Sequence, residues 1–237
     1  ATFSNLVFSA TGTGVTISAA ADGLTGSGNS NTFNVVSGPS TLAAGDIAFI
    51  MYQMTNPDKF SFILLRDIGG STTITFTDNA WTGTALNSNE NTGTWTAPSG
   101  GLTKGTVITI EGTTVTGGGT MSSGLTGLAG GGEQILVYQG TSGSPTFIAG
   151  LSSTGWLSSG TVTNASSYLP SSLTLGTHAV GFSSATDNGY YTGTLTGTKA
   201  QLLSQINDNT KWSRSGSVQT HPVWYASTAP SVSSNVN

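Results

Sequence analysis

Two apolar segments joined by a tight turn constrain the fold of this chain more than any other feature. The first, GDIAFIMYQ at residues 45–53, places apolar side chains on both alternating faces of a β-strand. The turn NPDK follows, and KFSFILLRDI at residues 59–68 resumes the pattern. A strand that is apolar on both faces needs cover on both faces. The two segments therefore predict a layered β-structure in which both strands lie inside.

Further short apolar segments, separated by turn residues, continue along the chain. They are TTITFT, GTVITI, GGEQILVYQG, PTFIAGL and THAVGF, which lie between residues 72 and 182. Short strands separated by turns are typical of an antiparallel sandwich or barrel. We therefore expect an all-β, antiparallel, jelly-roll-like sandwich over residues 14–226.

One segment breaks the strand pattern. In TGTKAQLLSQINDNTKW, residues 196–212, apolar residues recur about three apart, and Thr198 is suited to cap a helix. We expect a single short helix near residues 199–207, ended by the Asn-Asp-Asn run. The polar residues 227–237 predict a flexible tail.

Composition narrows the classes of function. Only 7% of the 237 residues are charged, the net charge is −4, and the basic residues form no cluster, so we expect no nucleic-acid binding. No apolar run reaches the roughly 18 residues of a membrane helix, so we expect no membrane span. The Gly, Ser and Thr content, with a start at Ala1 beside a strand, favours a bacterial extracellular or cell-surface protein after signal-peptide removal.

The sequence contains no recognisable catalytic pattern. Neither His178 nor His221 has the spacing of a zinc ligand, and no GxSxG motif joins a strand to a helix. We therefore expect no catalytic residue and no enzyme activity.

The acidic residues support two interpretations. Most of the Asp residues lie in turn-like sequences, where the side chain braces the turn. Calcium is the alternative, because it binds Asp, Asn and carbonyl oxygens in loops. Its candidate ligands are Asp78 with Asn79, and Asp187 with Asn188; no other cofactor is expected.

Two tryptophans and one asparagine are candidates for contact with glycans. Trp81 and Trp95 lie in polar, turn-rich sequences, where exposed rings would stack on sugars; the alternative is that they pack in the core or at its rim. Asn164 begins the glycosylation sequon Asn-Ala-Ser.

A series of motifs runs from Ala44 to about Ser213. In order, they are AGDIAFIMYQMTNPDKFSFILLRDI, TTITFTDNAW, NENTGTWTAP, GGLTKGTVITI, GGEQILVYQG, PTFIAGL, DNGYYTGT and LLSQINDNTKWS. In this stretch the chain resembles a family of secreted bacterial domains of unknown function. The resemblance implies an extracellular β-sandwich, often one module of a larger surface protein. It transfers no catalytic residue.

The first ten residues, ATFSNLVFSA, also predict a strand that is apolar on both faces. Phe3 and Val7 fall on one face, and Leu6 and Phe8 on the other. One interpretation is that residues 1–13 are a strand and hinge donated to a neighbouring subunit, as in fibres that share strands. The other is that the strand pairs within its own sandwich.

Two functions follow from these interpretations. The first is a structural subunit of an extracellular filament or surface assembly, whose copies join head to tail by N-terminal strand donation. The second is a monomeric carbohydrate-binding or adhesion module of a secreted bacterial protein.

Overall fold

The structure is a computed structural model that describes residues 10–19, 28–35, 37–219 and 230–233. The expected donor strand, with Phe3, Leu6, Val7 and Phe8, lies outside the described residues. The described chain contains two six-stranded β-sheets, three two-stranded sheets and one α-helix.

The strands follow one another closely along the chain. The first four are β1 (Gly12–Val15), β2 (Ser18–Ala19), β3 (Gly28–Asn29) and β4 (Phe33–Val35). The next seven are β5 (Ile47–Gln53), β6 (Lys59–Leu64), β7 (Thr73–Thr77), β8 (Thr92–Thr96), β9 (Val107–Glu111), β10 (Thr114–Thr116) and β11 (Thr120–Met121). The last seven are β12 (Gln134–Thr141), β13 (Ser144–Ser152), β14 (Ala179–Gly181), β15 (Asn188–Tyr191), β16 (Thr196–Thr198), β17 (Trp212–Ser215) and β18 (Ser231–Ser233).

The sandwich consists of two sheets built largely from hairpins. One sheet has the order β10-β9-β6-β5-β15-β17 and is antiparallel throughout. The other has the order β11-β8-β7-β12-β13-β14 and is antiparallel except for the parallel pair β13–β14. The all-β antiparallel sandwich that the sequence predicts is confirmed.

Aromatic rings from both sheets meet in the core between them. Phe49 and Phe62 come from the first sheet, Phe76 and Trp95 from the second, and each is at most 1% exposed. The ring centroids of Phe62 and Phe76 lie 5.1 Å apart, and Trp95 meets Phe62 edge-on at 5.7 Å. Such aromatic pairs contribute about 0.5–1.5 kcal/mol each beyond the burial of their area.

The second sheet is covered on its outer face as well. Along β12, Ile135 and Val137 join the main core, while Leu136 and Tyr138 join a separate apolar cluster with Phe147. This alternation places the two clusters on opposite faces of the sheet. Cover on both faces explains why residues 135–138 of β12 are apolar without interruption.

The helix α1, Lys199–Ile206, lies where the sequence predicts it. Thr198 accepts a hydrogen bond from Gln201 N, and the Gln201 side chain accepts one from Thr198 N, which completes a capping box. The buried residues of the helix are Leu202, Leu203 and Ile206. Lys199 Nζ lies 2.5 Å from Asp46 Oδ1, which fixes the start of the helix against the start of β5. A short 3₁₀ turn, Asn209–Lys211, then leads into β17.

Both ends of the described chain differ from the expected domain boundaries. The sequence predicts a boundary between the hinge and the sandwich domain at residues 13 and 14. Strand β1 spans Gly12–Val15, so this predicted boundary falls inside a strand. The sequence also predicts a flexible tail at 227–237. Residues 227–229 and 234–237 lie outside the described residues, but Ser231–Ser233 pair with β16, Val232 is buried in the main core, and Ser231 N donates to Leu195 O at 2.9 Å.

Candidate functional site

Strands β7 and β12 bring acidic side chains to one end of the sandwich. The two strands are antiparallel neighbours, with Thr77 opposite Leu136, so the residues after β7 lie beside those before β12. Asp78 directly follows β7, and Glu133 directly precedes β12. Glu90 lies in the loop between β7 and β8; the charge of Asp78 acts on Glu90, and the charges of Glu90 and Asp78 both act on Glu133. We call Asp78, Glu90 and Glu133 the acidic cluster.

Glu133 is held in place by backbone groups. Its Oε1 accepts a hydrogen bond from Gln134 N at 3.0 Å, and its Oε2 accepts one from Ala129 N at 3.2 Å. Its own N–H donates to Ser153 Oγ at 2.9 Å. The carboxyl group is therefore fixed at the start of β12 and is almost wholly shielded from water, since the residue is 1% exposed.

Asp78 and Asn79 brace the loop that leads from β7 to β8. Asp78 Oδ1 accepts from Asn91 N at 2.6 Å, and Asp78 Oδ2 accepts from Asn91 Nδ2 at 3.3 Å. Asn79 Oδ1 accepts from Glu90 N at 3.0 Å, and Asn79 Nδ2 donates to Thr77 Oγ1 at 2.9 Å. These bonds match the turn-bracing interpretation of the two residues.

Asp187 and Asn188 lie at the start of β15, bonded to other partners. Asn188 Oδ1 accepts from Thr55 Oγ1 at 2.8 Å, and Asn188 Nδ2 donates to Ser215 O at 3.3 Å. Across the described ranges, no group of three or more His, Cys, Asp or Glu side chains is arranged to hold a metal ion. The two pairs that the sequence singles out for calcium therefore do not form a joint acidic centre there.

Burial raises the pKa of all three carboxyl groups in the acidic cluster. The pKa of Glu133 rises to about 8, mainly because burial penalises the charged form and further because Glu90 and Asp78 are negative. The pKa of Glu90 rises to about 7, again through burial first and the charge of Asp78 second. Burial also raises the pKa of Asp78, although hydrogen bonds from Asn91 oppose the change. Between about pH 5 and 7, Glu90 and Glu133 therefore retain protons that exposed carboxyl groups have lost.

The two candidate sugar-stacking tryptophans lie in different environments. Trp95 is fully buried, and its Nε1 donates to Gly118 O at 3.0 Å. The prediction that Trp95 stacks on a glycan is therefore wrong, because no ligand can reach a ring enclosed between two sheets. Trp81 is half-buried and packs edge-on against Phe147 at 5.1 Å, so only part of its ring faces solvent.

Asn164 is exposed in the loop between β13 and β14, and its Oδ1 accepts from Asn89 Nδ2 at 2.7 Å. Its position on the surface suits a glycosylation acceptor, and its modification stays a prediction. The Asn164 backbone oxygen points elsewhere, because it accepts from Gln134 Nε2 at 2.9 Å.

Sequence reasoning missed Glu133, Gln134 and Glu90. One signal for them is present: Glu133 stands between a run of glycines and an apolar strand, so it lies at a strand end where Asp78 also lies. Only the pairing of β7 with β12 shows that these two strand ends are neighbours.

Comparison of the chain with protein-family models, with curated proteins and with solved structures finds no match. The resemblance to secreted bacterial sandwich domains therefore stays a prediction. In the part of the chain that the structure describes, no helix is both long and apolar enough to cross a membrane.

Proposed function

We propose that the protein is a structural subunit of a bacterial extracellular filament or surface assembly, in which each copy donates its N-terminal strand to the next. One observation carries the proposal. Within the described residues, β1 pairs with β4 and β2 pairs with β3, and none of the four enters a six-stranded sheet. Both large sheets are built from residues 47–215. The described part of the N-terminal segment therefore adds no strand to either large sheet, and we call residues 1–35 the arm.

The sequence of the arm suits donation to a partner. Its predicted first strand carries Phe3, Leu6, Val7 and Phe8, which place apolar side chains on both faces. Four such side chains contribute on the order of 6–10 kcal/mol when buried, before the cost of ordering the strand. An arm with this pattern gains most when it is covered on both sides, as a strand inserted into another subunit is.

The sandwich offers edges to which a donated strand could add. Its four edge strands are β10, β11, β14 and β17. Strand β17 has four residues and is the longest of them, so it presents the most backbone groups for a new ladder. We take β17 as the acceptor edge, which makes the contact head to tail and the assembly open-ended.

Cysteine crosslinking tests this arrangement directly, since the chain has no Cys of its own. A Val7→Cys, Ser213→Cys double variant should form a ladder of disulfide-linked oligomers under oxidising conditions. A matched control, Val7→Cys with Thr114→Cys, moves the second thiol to the opposite edge of the same sheet and should form no ladder. Electron microscopy of the unmodified full-length protein should show filaments.

A second pair of variants tests the apolar faces of the arm. Leu6→Asp with Val7→Asp should abolish filaments and leave folded monomers, whereas Ser4→Asp with Asn5→Asp adds the same charge at polar positions and should keep them. The proposal fails if the unmodified protein is monomeric and Leu6→Asp with Val7→Asp lowers its Tm. That result would place the strand in its own domain.

A further inference from the structure

The charged side chains of the described ranges are divided unequally between the two ends of the sandwich. Strand register defines these ends. Gln53, Lys59 and Glu111 lie side by side at one end of the first sheet, because Gln53 pairs with Lys59 and Lys59 with Glu111. Ile47 and Leu64 pair at the opposite end. We call the end marked by Gln53, Lys59 and Glu111 the acidic end, and the end marked by Ile47 and Leu64 the basic end.

The acidic end carries more carboxyl groups than basic side chains. The acidic cluster belongs to this end, because the charge of Asp58, which precedes β6, acts on Asp78. Asp187 lies there too, since the next residue, Asn188, pairs with Gln53. The full set is Asp58, Asp78, Glu90, Glu111, Glu133 and Asp187, with Lys59 and Arg214 as the basic residues. Even when the two Glu side chains of the acidic cluster hold protons, the other four carboxyl groups outnumber the basic side chains.

The basic end has the opposite balance. Arg66 Nη1 lies 3.3 Å from Asp46 Oδ2, and Lys199 Nζ lies 2.5 Å from Asp46 Oδ1, so two cations share one carboxylate. Lys104 N donates to Asp67 Oδ1 at 2.8 Å, which places Lys104 beside them. The full set is Arg66, Lys104, Lys199 and Lys211, with Asp46, Asp67 and Asp208 as the acidic residues. This end therefore has one formal positive charge in excess.

A cleft of about 350 Å³ opens among three cations of the basic end. Arg66, Lys104 and Lys199 line it together with Asp67. The side chains of Arg66 and Lys199 are 46% and 34% exposed, so their charge reaches the surface. Half of the chain's six basic residues thus surround one opening, although the net charge of the chain is −4. Such an opening favours a negatively charged partner.

The arm joins the sandwich at the basic end. Ser37 O accepts from Gly70 N at 2.8 Å, and Gly70 lies before β7, at the end of that strand opposite Asp78. On the proposed acceptor edge β17, Ser215 lies at the acidic end, where it pairs with Asn188. An arm that leaves the basic end of one copy therefore reaches β17 of the next copy most directly when it meets the acidic end of that copy.

We propose that the basic end of each copy docks on the acidic end of the next copy, around the cleft lined by Arg66, Lys104 and Lys199. The inference rests on the proposed function and deepens it by naming the faces that meet beside the donated strand. Opposite charges attract when the ends meet head to tail, whereas contacts between two identical ends bring like charges together. The two ends therefore set the polarity of the filament.

Single charges added at two exposed threonines test the docking, because neither hydroxyl bonds to a described residue. Thr103→Glu adds a negative charge next to Lys104 of the basic end. Thr126→Lys adds a positive charge to a cleft of about 630 Å³ at the acidic end, which Asp58 and Glu111 also line. Each variant should raise the protein concentration needed for filaments about threefold to fivefold at low ionic strength, as measured by sedimentation.

Thr116 supplies matched controls away from both ends. It is exposed on β10 and pairs with Thr109, midway along β9. Thr116→Glu and Thr116→Lys change the net charge as the two test variants do, so they separate end docking from overall repulsion between copies. Thr116→Lys reduces the net negative charge and should not weaken assembly, whereas Thr126→Lys should weaken it despite the same change in net charge.

Two results would count against the docking, and they differ in what they leave standing. If each test variant assembles at the same concentration as its Thr116 control, the docking is wrong. Strand donation then stands provided that filaments of the unmodified protein still require Leu6 and Val7. If the unmodified protein forms no filaments, strand donation and docking both fail.

Discussion

The acidic cluster places three carboxyl groups close together in a chain that has only ten acidic residues. Asp78 and Glu133 are each 1% exposed, so water stabilises their charged forms poorly. From the sequence, Asp78 is a candidate calcium ligand together with its neighbour Asn79. The structure adds that the negative charge of Asp78 acts on Glu133 across the paired strands β7 and β12.

The stability of the protein should fall as pH rises from about 5 to 8. Unfolded Glu loses its proton near pH 4.3, whereas the pKa values of Glu90 and Glu133 in the folded protein are about 7 and 8. Between these values the unfolded state binds fewer protons, so rising pH favours unfolding. For buried Glu133 the loss is on the order of a few kcal/mol; Glu90 is only partly buried and contributes less.

Urea unfolding at several pH values measures this effect. Glu133→Gln should flatten the curve, since the variant has no proton to lose at this position. His178 acts in the opposite sense at the acid end, because burial and nearby Lys199 lower its pKa. Stability that rises steadily from pH 5 to 8 would contradict the expectation.

Trp95 illustrates what a residue's neighbours in sequence cannot reveal. The segment TGTWTAP is polar apart from the ring, and it favours exposure. In the structure the threonines of β8 face away from the core, whereas Trp95 faces Phe62 of the opposite sheet. Because side chains alternate between the two faces of a strand, the same sequence is compatible with a buried or an exposed Trp95.

At the scale of elements, the helix is the best-predicted part of the chain. Its start depends on Thr198 and Gln201, which are three residues apart, so the signal is local. The long strands β5, β6, β12 and β13 were also found from their apolar runs. Among the short strands, β14 lies within the predicted segment THAVGF, whereas two-residue strands such as β11 carry too little pattern to be predicted.

Removal of the helix cap should destabilise the protein measurably. Thr198→Ala leaves Gln201 N without its side-chain acceptor and should lower the free energy of unfolding by about 1 kcal/mol. Thr198→Ser keeps the hydroxyl and should stay close to the unmodified protein. Urea unfolding at neutral pH separates the two. Equal losses for both variants would show that the methyl group matters instead of the cap.

At the scale of the whole molecule, the segment just before the sandwich is attached through Ser40. Ser40 N donates to Thr72 Oγ1 at 2.8 Å, its Oγ accepts from Gly69 N at 2.9 Å, and its carbonyl oxygen accepts from Gln139 Nε2 at 3.0 Å. The N-terminal arm precedes these bonds. The sandwich should therefore tolerate loss of the arm but not loss of Ser40.

Two deletions test this boundary by thermal unfolding. A variant lacking residues 1–35 should unfold cooperatively, with a Tm within about 4 °C of the full-length value. A variant lacking residues 1–41 also loses the three Ser40 hydrogen bonds and should melt about 5–10 °C lower. If the shorter deletion already abolishes cooperative unfolding, the arm is part of the domain core, and the strand-donation proposal loses its basis.

The sequence by itself determined the fold class, the long strands and the helix with its cap. Each of these follows from side chains close together in the chain, through strand alternation or hydrogen bonds across one helical turn. Tertiary structure alone decided that Trp95 is buried, that Val232 joins the core, and that Asp78 and Glu133 share one site. These outcomes depend on which strands pair, and pairing is set by contacts between distant parts of the chain that no short segment specifies.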